Sequence, residues 1–255
     1  MNAVTPFVKE DSIVKKIWGK ADTVLFIFAG SAAEFALNKA VDWLYFTGKL
    51  PADPIGRLFS TVTYARLIIF SDLDNANKSI DKITSIHAAV EHNRNAAIPD
   101  WAYRDVLYML IHYSIASYEL LERKLTVDEK QEVFTVFYKV GNRMHLKALP
   151  TNYNEWKLDY QKHLQNDLAN SKFTVDLFKQ YKKHLGSFRY YILIESQKLL
   201  VPKKVHALLG FSNFSLMRLI ILCYKFCRLI KLDGFLKALV LPDEYKTQIK
   251  KLDII

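Results

Sequence analysis

A chain of 255 residues that is 51% apolar and 13% aromatic can fill one large domain or two small ones, and it is too apolar to be disordered. Two cysteines exclude a disulfide framework, and eight glycines with seven prolines leave long helices joined by short loops. The net charge of +10 is uneven: residues 1–169 carry 20 basic and 20 acidic side chains, whereas residues 170–255 carry 16 and 6.

The N-terminal stretch MNAVTPFVKEDSIVKK has charges but no apolar h-region, so it does not read as a signal peptide. The most membrane-like run, VLFIFAGSAAEFALNKAVDWLYF, is broken by Glu34, Lys39 and Asp42, and a transmembrane helix is not expected. Asp53-Pro54 reads as an N-cap with proline in the first turn, opening PIGRLFSTVTYARLIIF. On that helix Leu58, Val62, Ala65 and Ile69 form a core face, and Arg57, Thr61 and Tyr64 a polar one. Ser71, with Asp72 and Asp74 in the first turn, opens the next helix. There Ile80, Ile83, Ile86 and Val90 recur at helical spacing, and His87 falls inside their arc. Pro99-Asp100 precedes WAYRDVLYMLIHYSIASYELLERK, which is apolar nearly all round and is therefore expected at the centre.

Thr126 with Glu129 is a capping box, with Leu125 placed for a hydrophobic staple, and Asn152 with Glu155 starts another helix. Separate helices are then expected at VDLFKQYKKHL, SFRYYILIESQKLL, PKKVHALLG and NFSLMRLIILCYKFCRLI. No strand alternation or hairpin signal competes with these. The fold class expected is all-α: a helical bundle of roughly eight to eleven helices. The organisation expected is a single domain over 1–255, with a core at about 20–168 and a basic helical C-terminal part at about 169–255. Cys223 and Cys227 share a helix face and read as reduced thiols in a cytoplasmic protein.

His87 is either a satisfied core histidine or a ligand, and taken alone it reads more simply as the former. Arg57 and Thr61 could hold a carboxylate or a polar ligand, or simply face solvent. His112 is a tentative second site residue, with a buried hydrogen-bonding role as the plain alternative. No GxSxG, HExxH, P-loop or CxxCH occurs, so serine-hydrolase, zincin, phosphate-cradle and c-type haem chemistry have no motif to rest on. The basic residues of the C-terminal third lie among aliphatics with no groove-reading motif. A nucleic-acid partner is not expected, and peripheral contact with an anionic membrane is.

The ordered set across Arg57, Thr61 and His87 resembles the oxygenase family of MpaB, the mycophenolic acid pathway enzyme, and the latex-clearing rubber oxygenases. That family shows a DP.GR start, an R-x-x-x-T pair and an IH or LH motif; here these are Asp53-Pro54, Gly56-Arg57, Thr61 and Ile86-His87. The likeness continues through DVLYMLIHYSIASYELLERKLTVDE, VGNRMHLKALPTNYNEW and KLLVPKKVHALLGF, covering about residues 20–245.

The resemblance implies an all-α fold with a globin-like core around haem b, with His87 as the proximal iron ligand. It carries Arg57 and Thr61 over as cofactor-pocket residues of catalytic importance, and His112 as a recurrent family histidine. It implies O2-dependent cleavage of a carbon–carbon double bond in an apolar, isoprenoid-like substrate. Rubber oxygenases have a lysine directly before the threonine; Ser60 stands there and cannot serve as that ligand. Their catalytic glutamate has no clean match, and Glu34 is the nearest candidate. The alternative function is a non-catalytic helical haem- or lipid-binding protein.

Overall fold

The computed structural model describes residues 5–48 and 52–229, and among them it is all-α, with eleven helices and no strand. In chain order these are α1 (Ile13–Trp18), α2 (Ala21–Leu37), α3 (Asp42–Phe46), α4 (Pro54–Ile69), α5 (Leu73–Arg94) and α6 (Asp100–Leu121), then α7 (Val127–Arg143), α8 (Tyr153–Asn166), α9 (Lys172–Leu200), α10 (Lys203–Leu208) and α11 (Met217–Leu229). No helix among the described residues is long and apolar enough to cross a membrane.

Local chemistry sets most boundaries. The Asp53 carboxylate accepts from the Gly56 amide at 2.8 Å and caps α4. A side chain at Gly56 would run into that carboxylate, so the glycine is what lets the cap close. Thr126 and Glu129 form the expected capping box on α7, and Leu125 is buried beneath it. Asn152 caps α8 through the Glu155 amide. At α5 the cap is Asp72, one residue later than expected, because its carboxylate reaches the Asn75 amide at 2.8 Å. The two helices expected at 174–200 are one element, α9, bent at Gly186, whose φ of 72° is a conformation open to glycine.

α2 and α6 lie at the centre. Gly30 and Ala32, Ala33 and Ala36 keep α2 thin, so α6 can press on one side and α9 on another. The Tyr113 ring lies where a side chain at Gly30 would be. Trp18 is fully buried and donates from Nε1 to Ser114 Oγ at 3.0 Å, tying α1 to α6. Val62, Ala65 and Ile69 of α4 are buried as the spacing requires; the Leu58 side chain is outside the described residues. On α5 the stripe is narrower than expected. Ile80 is buried and Ile83 half-buried, but Ile86 is 43% exposed. Cys223 is an exposed free thiol, while the side chains of Cys227 and Arg228 and all of residues 230–255 lie outside the described residues.

Candidate functional site

α4 and α5 form a hairpin turned at residues 70–72, which brings Arg57 at the start of α4 opposite His87 near the end of α5. The far end of α5 is pinned: Arg94 donates to Asp42 Oδ2 at 2.7 Å and lies over the Trp43 ring at 3.9 Å. Its middle is pinned by the two-pronged pair of Arg143 with Asp81, at 2.8 and 2.7 Å. His87 is thus held on a fixed helix.

His87 is half-buried, its Nδ1 is fully buried, and that nitrogen has no hydrogen-bond partner. The ring meets Tyr103 edge-on, with centroids 5.1 Å apart. Burial, and then the positive charge of Arg57, push its pKa down to about 4, against the weaker pull of Glu91. At neutral pH the imidazole is uncharged and keeps a free lone pair. Tyr103 is itself oriented by donating to Glu91 Oε1 at 3.1 Å.

Arg57 is also desolvated, which lowers its pKa, and the nearby Tyr64 phenol works the other way. Its one side-chain hydrogen bond is a long 3.4 Å contact from Nη1 to Thr61 Oγ1. Among the described residues no carboxylate pairs with it. A desolvated guanidinium without an acid suits a ligand that supplies negative charge or polar acceptors. Beside this pair an open groove of about 740 Å³ runs along the α4–α5 seam, lined by Ser60, Tyr64, Ser79 and Lys82 among others. Its size falls within the range of small-molecule sites, about 300–1,000 Å³.

His112 is not in this group. It lies nine residues beyond Tyr103 on α6, about 13 Å along the axis, in a second cluster whose anchor is Glu34. Glu34 is fully buried and accepts from Tyr113 Oη at 2.8 Å, Tyr160 Oη at 2.6 Å and His163 Nε2 at 3.2 Å. The other nitrogen of His163 lies 2.8 Å from Asp105 and 3.4 Å from Asp167. Asn38 donates to the second oxygen of Asp105 at 3.1 Å. Burial opposes a charge on His163, but the two flanking carboxylates outweigh it and raise its pKa to about 10. Burial raises the pKa of Asp105, with His163 pulling the other way. His112 packs between Tyr113 and Tyr160, both with centroids 4.8 Å away, and its hydrogen bond is to the Leu200 backbone. Burial keeps His112 neutral, and its Nε2 is unpartnered.

Asp105, His163 and Asp167 offer three ligand atoms within 4.8 Å of one another, enough for a small cation. A metal there would have to displace the proton that His163 shares with Asp105. The arrangement already closes as a carboxylate–imidazolium–carboxylate chain, which makes it foremost a buried ion-pair network.

The structure therefore brings Arg57, Thr61 and His87 together and separates them from Glu34 and His112. Glu34 has both oxygens committed away from His87. Tyr103, Glu91, Tyr160 and His163 escaped sequence reasoning; the signal was Glu34 itself, a lone acid in an apolar helix, which requires buried partners.

No curated protein and no solved structure gives a significant match to the chain. A family profile does, described as the ER-bound oxygenase mpaB/B'/Rubber oxygenase, catalytic domain, and it spans residues 18–226. Those bounds take in all of α2–α10, both polar clusters and most of α11. The chain is a member of this mpaB and rubber oxygenase family and, as such, an oxygenase.

Proposed function

We propose that the protein is a haem b-dependent oxygenase that cleaves a carbon–carbon double bond in an apolar, unsaturated, isoprenoid-like substrate. The observation that carries this is His87: a neutral imidazole, with a buried unpartnered nitrogen, set opposite a guanidinium that has no acid. Those residues fit the group that the family implies. His87 would ligate the iron, and Arg57 and Thr61 would line the cofactor pocket beside it. Ser60, where rubber oxygenases carry lysine, leaves that side without an amine ligand.

When bound, the haem supplies the redox chemistry on O2. Arg57 holds His87 in its unprotonated state, so the nitrogen is available at neutral pH. Tyr103 fixes the plane of the ring from the α6 side. In the overall reaction the double bond breaks and both oxygen atoms end in two carbonyl groups, so the balance needs no external reductant.

The test is the absorption spectrum of protein purified from haem-supplemented cells, beside that of His87→Ala. An intense Soret band in the parent, lost or strongly changed in the variant, is the expected result. A colourless parent that does not take up added haem overturns the reading and leaves a non-catalytic helical binding protein.

Contact with an anionic lipid surface goes with a greasy substrate. Phe214, Leu219 and Leu222 are 70%, 62% and 64% exposed at and before α11. Across residues 170–229 the sequence has only two acids, and both are engaged: Asp176 by Tyr45 and Glu195 by Lys198. Vesicles rich in anionic lipid should sediment the protein, and Lys203→Gln with Lys204→Gln and Arg218→Gln should weaken that. Equal sedimentation by the charge variants would count against it.

A further inference from the structure

The groove between α4 and α5 is polar where the proposed substrate is apolar. Its α5 wall carries Lys78 and Lys82, one helical turn apart, with Ser79 between them. Its α4 wall presents the hydroxyls of Ser60, Thr63 and Tyr64. Among the described residues neither lysine has a carboxylate within ion-pair distance, and Asp81, the acid next to Lys82, is taken up by Arg143. Two like charges a turn apart repel, so the sequence pays for this pair unless an anion sits between them.

The groove is continuous with the His87 site. Ser60 and Tyr64 lie three and seven residues beyond Arg57 on the same face of α4, and the Tyr64 phenol is close enough to act on the Arg57 charge. Ser79 lies two turns before His87, about 12 Å along α5. A ligand held at His87 that extends along the seam would therefore bring its far end to the two lysines.

We infer that Lys78 and Lys82, together with the hydroxyls of Ser60 and Ser79, form a seat for a carboxylate of the ligand that occupies the groove. The inference rests on the reading that His87 is the ligand-binding end of this seam. The carboxylate has two sources: the propionates of the porphyrin, or an acid headgroup on the unsaturated substrate. In either case the acid lies well away from the reacting double bond, so the substrate class excludes short acids.

The test compares charged and neutral forms of each probe on the full chain, in the parent and in Lys78→Ala/Lys82→Ala. Both lysines are exposed, so the fold should survive; an unchanged far-ultraviolet circular dichroism spectrum and melting point confirm it. The porphyrin arm titrates iron protoporphyrin IX and its dimethyl ester, read by absorption. The substrate arm titrates oleate and oleyl alcohol, read by calorimetry. If the propionates use the seat, the double variant binds the free-acid porphyrin about tenfold or more weakly and the ester unchanged. If the headgroup uses it, oleate weakens by the same factor and oleyl alcohol does not. Lys78→Arg/Lys82→Arg should restore binding in whichever arm responds. A double variant that binds all four probes as the parent does overturns the inference. Loss of porphyrin binding in His87→Ala with the oleate arm intact would instead bear on the haem reading, so the two failures are distinguishable.

Discussion

The molecule holds two polar clusters built on opposite logic. Around Glu34 every hydrogen-bonding group of the carboxylate and of His163 is matched by a partner, and the imidazole is charged. Around His87 the imidazole is neutral, its buried nitrogen has no partner, and the facing guanidinium has no acid. A completed network stabilises the fold and leaves nothing to offer a ligand. An incomplete one is a standing free-energy penalty that bound ligand can remove. The contrast assigns scaffolding to the first cluster and ligand binding to the second, although the first looks richer in catalytic residue types.

The most direct way to break that assignment is to remove the anchor. Glu34→Ala would leave the His163 imidazolium and two tyrosine hydroxyls buried without their acceptor, at a cost of about 3–5 kcal/mol. Set against typical domain stabilities of about 5–15 kcal/mol, urea denaturation should show a large drop or outright failure to fold. His87→Ala makes the opposite prediction. It removes no hydrogen bond, only an edge-on contact with Tyr103, so a loss of no more than about 1.5 kcal/mol is expected in the same assay. Its effect should fall on ligand binding. A severe fold defect in His87→Ala, or a mild one in Glu34→Ala, would reverse the two roles.

The same division shows in the pH dependence of stability, and the signs are opposite. The folded-state pKa of His163 is raised from about 6.5 unfolded to about 10. Its contribution is fully present below pH 6.5 and is lost as pH rises through about 10. The folded-state pKa of His87 is lowered to about 4. Between about 6.5 and 4 the unfolded chain binds the proton that the folded chain refuses, so stability falls as the solution is acidified through that window. Melting temperatures across pH should therefore show His163→Gln flattening the alkaline limb and His87→Gln flattening the acid limb. Identical limbs in a variant and the parent would remove that residue's account.

Much of the fold was legible because the signals are local. Thr126 with Glu129, Asn152 with Glu155, and Asp53-Pro54 each act within one turn, and each sits where the sequence places it. The shift from Ser71 to Asp72 at α5 is a competition between adjacent capping residues that spacing alone does not decide. Ile86 is exposed because burial on α5 is set by how many helices cover it, and periodicity cannot count neighbours. The candidate site was legible in part for the same reason. Arg57 and Thr61 are four residues apart on one helix, so their pairing is local. Glu34 meets Tyr113, Tyr160 and His163 across 79, 126 and 129 residues, and no single-chain pattern carries such a meeting. That distance is also why His112 could be singled out and yet belong to the wrong cluster.

The smallest effect is the sharpest test of the seam itself. Arg57 lowers the His87 pKa because two positive charges facing each other across a dry interface disfavour one another, but burial is the larger cause. Arg57→Leu removes the first cause and keeps the second. The His87 pKa, followed by its ring-proton chemical shift, should rise from about 4 yet stay below the ordinary value of about 6.5. Stability should be unchanged or slightly higher, because a desolvated guanidinium without an acid gives way to an apolar side chain. Full recovery to the ordinary value would mean that burial contributes nothing and that the His87 ring is solvated in the free protein. No movement at all would mean that Arg57 does not face His87, and the α4–α5 seam would lose the element that makes it a site.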